Sequence, residues 1–217
     1  LLALLATNAH TVCDEELQPV GLGLYPLAAM TNHSCEPSAA QTFDGRQLVL
    51  RALRPLEAGE EVTIGYIELG QSAAARKAEL KSGYFFECVC ARCERESAPA
   101  AEAALAGAAT RLSASRARAL AAIDAQRWDD ALDAARECCK QCDAVLPPAL
   151  PSAGIERLRL AKLLSHQGDL VNAVAAWRHA HAILSVTHGD DSPLVRRLSA
   201  DLSAAAAEID VAALKIA

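Results

Sequence analysis

Apolar and polar positions follow two rhythms along this chain. From Gly21 to Ile67 the apolar residues come in short runs broken by turn signals. "SAAQTFDGRQLVLRAL" sets two extended runs on either side of Asp44-Gly45, where glycine accepts the positive φ of a tight hairpin. A Pro and Gly turn in "RPLEAGEEVTIGYIEL" then leads into an expected strand from Val62 to Tyr66. "GQSAAARKAELKSGY" predicts a short helix capped at Ser72. Past the linker "SAPAAEAA" the rhythm lengthens to that of helices of 12 to 20 residues, with Leu170, Val174, Trp177, His181 and Leu184 on one face. Gly168 stops one helix, Asp169 caps the next, and Ser192-Pro193 opens another in N-cap and N1 order. "RWDDALDAA" from Arg127 and "DLVNAVAAW" from Asp169 place small and apolar residues alike, about 42 positions apart, which predicts stacked helical hairpins over roughly residues 101–210.

Composition agrees with this division into a β-rich part and a helical part. Only 4% of residues are aromatic and alanine is heavily used, so burial falls to Ala, Leu and Val, a bias toward helix. The 217 residues suffice for one good core or two modest ones. No apolar run approaches the ~20 residues that span a membrane. "LLALLATNAH" lacks the basic flank and the length of a signal peptide and reads as the end of a buried helix that begins upstream, so the chain is expected to be a fragment. Residues 1–96 carry 8 Lys and Arg against 13 Asp and Glu, an acidic balance that disfavours binding to nucleic-acid phosphates and suits a cationic substrate.

Eight cysteines without a secretory signal point to a reducing compartment, cytoplasmic or nuclear, where thiols serve metals or cores. Cys88, Cys90 and Cys93 form CxCxxC, from which one tight loop can aim three thiolates at one ion. Tetrahedral zinc takes a fourth ligand. Cys35 is the candidate, in "LAAMTNHSCEPSAA", where Asn32, His33, Ser34 and Cys35 interrupt an apolar run with side chains that are costly to bury without partners. Cys138, Cys139 and Cys142 lie in helical sequence and read as ordinary buried thiols.

Three blocks, "GLGLYPLAAMTNHSCEPS", "ALRPLEAGEEVTIGYIEL" and "GYFFECVCARCERE", resemble in order and spacing the second half of the SET domain and the post-SET loop of the SMYD (SET and MYND) protein lysine methyltransferases. "HQGDLVNAVAAWRHAHAILSVTHGDDSPLV" is similar to that family's C-terminal helical domain. The resemblance implies an α+β chain: residues 1–82 the C-terminal portion of a SET domain, with its pseudoknot; residues 83–96 a post-SET zinc loop; residues 97–217 a TPR-like helical domain.

It also implies S-adenosyl-L-methionine and Zn2+ as cofactors, with Cys35, Cys88, Cys90 and Cys93 as zinc ligands. Tyr66 and Tyr84 would be the catalytic and channel aromatics. Asn8, Asn32, His33 and Phe86 would bind the methyl donor, Phe86 packing on its adenine. The sequence departs from the family pattern at Ala9 and His10, where Ser and Phe are usual, at Ser38 after "CEP", and at Gly65 before the tyrosine. The family's glycine-containing N-terminal segment and its MYND module have no counterpart here, so the fragment alone is expected to be inactive. Implied partners are a substrate protein presenting lysine, histone or non-histone, and a peptide or chaperone at the helical domain, with no direct nucleic acid and no membrane. The rival expectation is a non-catalytic zinc-stabilised scaffold whose helices bind peptides.

Overall fold

A computed structural model of the chain describes residue 5 and residues 7–214, so most of the N-terminal apolar run, expected to end a helix, lies outside the described residues. The β-rich part holds three small two-stranded sheets among the described residues. Strands β1 (Ala9–Cys13) and β2 (Pro19–Leu24) pair antiparallel, with His10 opposite Gly23 and an irregularity at Val12/Cys13. Strand β3 (Asn32–His33) runs parallel to β6 (Thr63–Ile64), and Ser34 N–H extends the contact to the Ile64 carbonyl at 3.0 Å. Between them β4 (Ala39–Asp44) and β5 (Gln47–Ala52) form the expected hairpin. Its two-residue loop is Gly45-Arg46, and Gly45 takes φ +55°.

The expected strand Val62–Tyr66 is shorter than its apolar pattern, ending at Ile64. The Tyr66 N–H leaves the ladder and donates to His33 Nδ1 at 3.0 Å, which places Tyr66 in a loop beyond the strand. Helix α1 (Ala73–Tyr84) starts as expected, with Ser72 Oγ accepting from Ala75 N–H, and Phe85 closes it in the left-handed conformation. A short helix α2 (Ala91–Arg95) follows, with Cys90 at its N-cap.

Five helices then follow: α3 (Pro99–Asp124), α4 (Trp128–Val145), α5 (Pro151–His166), α6 (Leu170–His188) and α7 (Pro193–Leu214). Two exceed the expected length. "SAPAAEAA", read above as a linker, is helical from Pro99, because proline at N1 followed by alanines favours helix. The internal repeat has a structural form. Gln126 (φ 56°) and Gly168 (φ 78°) turn the chain in the same way, with Arg127 N–H on the Ala122 carbonyl at 2.8 Å and Asp169 N–H on the Leu164 carbonyl at 3.0 Å. Each repeat segment therefore opens the second helix of a hairpin, α3–α4 and α5–α6.

The helical array has its own core, in which Trp177, Leu184, Leu158 and Leu198 are buried. At Gly154 a Cβ would stand 2.7 Å from Leu184 Cδ2, so glycine is what lets α5 and α6 approach. A second core joins the β-rich part to the array and contains Cys35, Leu69, Leu80, Cys88, Cys93 and Leu150. A further link runs through α6, where Thr42 Oγ1 donates to the Thr187 carbonyl at 3.4 Å and Arg51 Nη1 donates to Thr42 Oγ1 at 3.1 Å. No helix among the described residues is long and apolar enough to cross a membrane.

A candidate active site beside a four-cysteine centre

Four thiols converge from three places in the chain. Cys35 follows β3, Cys88 and Cys90 lie between α1 and α2, and Cys93 is carried by α2. Their sulfurs all lie within 4.8 Å of one another, Cys35 and Cys93 at 3.5 Å and Cys35 and Cys88 at 3.9 Å. Tetrahedral zinc with bonds of ~2.3 Å needs sulfurs ~3.8 Å apart, so the donor set fits that ion in number, type and spacing. Left to themselves the thiols compete: hydrogen bonding from Cys35 holds Cys90 low, that same bond raises Cys35, and burial raises Cys88. One thiolate discourages the rest, which is the arrangement a divalent cation reverses.

Two buried arginines support the cluster. Arg76 of α1 is fully buried, donating to Glu96 at 2.5 Å and standing 3.9 Å from Cys93 Sγ. Arg92 of α2 donates to the carbonyls of Cys35 (2.9 Å), Leu69 (3.2 Å) and Val145 (2.5 Å), and to Glu96 at 2.8 Å. Val145 is the last residue of α4, so one guanidinium ties the cysteine loop to the helical array. Arg92→Met is expected to cost about 3–5 kcal/mol, because three buried carbonyls and a partly buried carboxylate lose their donor together. Chemical denaturation reads this directly; unchanged stability would show that Arg92 is no tie.

His33 connects the cysteines to the aromatic residues. Its Nδ1 accepts from the Tyr66 N–H, so its proton sits on Nε2, 3.3 Å from Cys35 Sγ. Burial lowers its pKa to about 4, against a smaller upward pull from Cys90. The ring packs on Tyr66 (centroids 5.3 Å apart) and Phe86 (6.0 Å), and Tyr66 packs on Tyr84 (4.9 Å). The Tyr66 hydroxyl donates to the Thr31 carbonyl at 2.5 Å and the Tyr84 hydroxyl to the Tyr66 carbonyl at 3.2 Å. Burial raises both phenol pKa values, which keeps both protonated at neutral pH.

Two cavities meet at Tyr66. The larger, of 380 Å³, lies against the helical array and is lined by Asp14, Glu15, Glu68, Leu150, Pro151 and His188. The smaller, of 100 Å³, is lined by Asn8, His10, Ala28, Gln41, Tyr66 and Tyr84. Thr11, Gln41, Ile64, Gly65 and Tyr66 border both. Burial lowers the His188 pKa, which keeps the ring neutral at neutral pH; of the three carboxylates, Glu15 is paired with Arg197 at 2.7 Å and Glu68 stands 3.9 Å from Arg116.

The SET domain family model matches residues 5–67. Over 234 residues the chain is 30% identical to histone-lysine N-methyltransferase SMYD3 of Mus musculus, an alignment covering 88% of this chain and 55% of that protein. It is 45% identical over 92 residues to histone-lysine N-methyltransferase ASHR1 of Arabidopsis thaliana (42% of this chain, 19% of that protein). With N-lysine methyltransferase SMYD2-B of Xenopus laevis it shares 40% identity over 93 residues, 43% of this chain and 22% of that protein. The chain is thus similar to SMYD-family SET-domain proteins. It spans about half the length of SMYD3.

Within this chain, the residues singled out by motif do not all behave alike. Tyr66, Tyr84, His33 and Phe86 form one aromatic cluster, and Asn8 lines the cavity that Tyr66 and Tyr84 share. Asn32 is exposed and its Nδ2 donates to Glu61 at 2.6 Å, which leaves its carbonyl oxygen and its second amide N–H for a ligand. Both His33 nitrogens are engaged within the protein, so toward a ligand it presents its ring and its backbone. Cys138, Cys139 and Cys142 are buried in α4; hydrogen bonding with Cys142 raises the Cys138 thiol and burial pushes Cys139 up to about 12, which suits inert core thiols. Arg76 and Arg92 escaped sequence reading, since a charged residue in the helix "AAARKAEL" or inside "CVCARCERE" looks like surface; the one signal, for Arg92, was arginines and Glu96 beside a metal motif.

Proposed function

We propose that this chain is part of a SMYD-family, S-adenosyl-L-methionine-dependent protein lysine N-methyltransferase. The observation that carries the reading is Tyr66 itself, a residue in the walls of both a wide cavity bearing three carboxylates and a narrow one, with its hydroxyl anchored on a backbone carbonyl. The wide cavity suits a basic stretch of substrate protein; the narrow one suits the lysine side chain. On this reading residues 1–82 are SET, residues 83–96 the post-SET loop, and residues 97–217 the helical wall of the substrate cleft. Histone and non-histone proteins are both candidate substrates; SMYD3 is a histone-lysine N-methyltransferase and SMYD2-B an N-lysine methyltransferase.

Asn8, Asn32, His33 and Phe86 would hold the methyl donor, and Cys35, Cys88, Cys90 and Cys93 one zinc ion. When bound, the donor supplies a methyl group made electrophilic by a positive sulfonium sulfur. The zinc serves structure, holding the loop that carries Tyr84 and Phe86. The chain's own residues exclude water from the lysine, orient its nitrogen and lower the cost of its deprotonation, about 4.6 kcal/mol at pH 7 from a pKa of ~10.4. A protonated Tyr66 acts in this as a fixed dipole beside the reacting nitrogen.

A scaffold reading draws on a different place, an apolar groove of 460 Å³ on the array lined by Leu120, Ile123, Trp128, Leu158 and Leu163. It leaves the Tyr66 arrangement without use, and the enzyme reading is preferred for that reason. The full-length protein, purified with zinc, is expected to transfer tritium from labelled S-adenosyl-L-methionine to lysine residues in a mixture of histones and cytosolic proteins. Folded, donor-saturated protein that transfers nothing to any component would sink the enzyme reading in favour of the scaffold.

A further inference from the structure

The 100 Å³ cavity contains a base. Of the side chains that line it, three are titratable: His10, Tyr66 and Tyr84. The two phenol protons are committed to backbone carbonyls, and among the described residues no carboxylate or ammonium borders the cavity. Tyr25, packed edge-on to His10 with centroids 5.8 Å apart, is the other titratable group against the ring, and its hydroxyl donates to the Arg46 carbonyl at 2.9 Å. His10 Nδ1 lies 2.9 Å from Gln41 Oε1. An amide oxygen only accepts, so Nδ1 carries the proton and Nε2 keeps its lone pair. Nε2 has no hydrogen-bond partner among the described residues.

We infer that His10 is the general base of this site, taking the proton of the substrate ammonium on Nε2 while Gln41 fixes its tautomer. The inference rests on the lysine methyltransferase reading. In the step, one N–H bond of the lysine ammonium breaks and its proton passes to Nε2, giving imidazolium and a neutral amine. The amine lone pair then forms the new N–C bond to the methyl of the sulfonium donor as the S–C bond breaks, its electron pair returning to sulfur. The imidazolium proton leaves to solvent between turnovers. A histidine held by one nitrogen and open at the other is the usual form of such a base.

Two measurements test this. Long-range 15N spectra of the histidine-labelled chain are expected to show His10 as the Nδ1–H tautomer, and Gln41→Leu to release it toward the Nε2–H form. With any protein that wild-type enzyme methylates, His10→Phe is expected to lower kcat/KM at pH 7 by about 10²–10⁴-fold. The deficit should shrink by about tenfold per pH unit as pH rises toward the lysine pKa of ~10.4, since the substrate then sheds its proton unaided. His10→Ala with added imidazole, with melting temperature and zinc content as folding controls, should recover part of the rate. An Nε2–H tautomer in wild type, or a His10→Phe enzyme with wild-type rate and pH profile, overturns the base while leaving the methyltransferase reading intact. Wild type that methylates nothing removes both.

Discussion

Tyr66→Phe is expected to lower methyl transfer by the full-length enzyme by about 10²-fold or more, the scale on which deletion of one preorganised polar contact to a transition state is felt. The substitution removes one oxygen and keeps the ring, so the contacts of Tyr66 with Tyr84 and His33 survive, as does the Tyr66 N–H bond to His33 Nδ1. What goes is the hydroxyl seated on the Thr31 carbonyl. Because that hydroxyl already donates its proton and burial raises its pKa, its contribution lies in fixed lone pairs beside the reacting nitrogen. The loss should fall on kcat, with KM, zinc content and melting temperature close to wild type. Equal turnover by variant and wild type would take Tyr66 out of the mechanism. A scaffold would show the opposite pattern, with partner binding unaffected and no donor-dependent transfer to lose.

The second large effect concerns zinc. Purified protein is expected to contain one equivalent, lost on treatment with a strong chelator and absent from Cys93→Ser. Structural zinc sites in small domains contribute about 10–16 kcal/mol to folding, comparable to or above the ~5–15 kcal/mol that holds an average domain together. Cys35, Cys88 and Cys93 are themselves core residues, packed with Leu69, Leu80 and Leu150. Removal of the ion should therefore unravel the loop carrying Tyr84 and Phe86 and abolish methyl transfer. The helical array has a separate core around Trp177 and Leu184 and should keep most of its far-ultraviolet circular dichroism. Elemental analysis finding no zinc, or Cys93→Ser protein with full zinc content, would dismiss the metal site. Loss of all helicity on chelation would show instead that the array depends on the cysteine centre, through Arg92 and the Val145 carbonyl.

Features coded within a few residues were open to sequence reading. The cap at Ser72, the caps at Asp169 and Ser192, the glycine of the β4–β5 loop and the three-cysteine loop each depend on neighbours in the chain. A spacing such as CxCxxC states its geometry because the backbone between ligands is short. The Arg127 and Asp169 segments declared the hairpin repeat because like turns need like sequences. Local signals misled where two readings share one composition. "SAPAAEAA" is as good a helix start as a linker, and the apolar run to Tyr66 looks like strand although its last N–H is taken by His33.

By itself, then, the sequence determined a β-rich part followed by stacked helices, a thiol loop short of one ligand with Cys35 as the candidate for the gap, and a family resemblance that agreed with that choice. Only the tertiary structure decided which groups meet across long separations: Cys35 with Cys93, Arg92 with the ends of two other segments, Tyr66 at the junction of two cavities, and His10 held by Gln41 from a different sheet. The reason is physical. A cap or a turn is stabilised by bonds its own residues make, so its chemistry is written in adjacent letters. A buried arginine or a histidine with one free nitrogen takes its role from what packing brings to it, and burial, which sets hydrogen-bond partners and proton affinity alike, is a property of the folded whole.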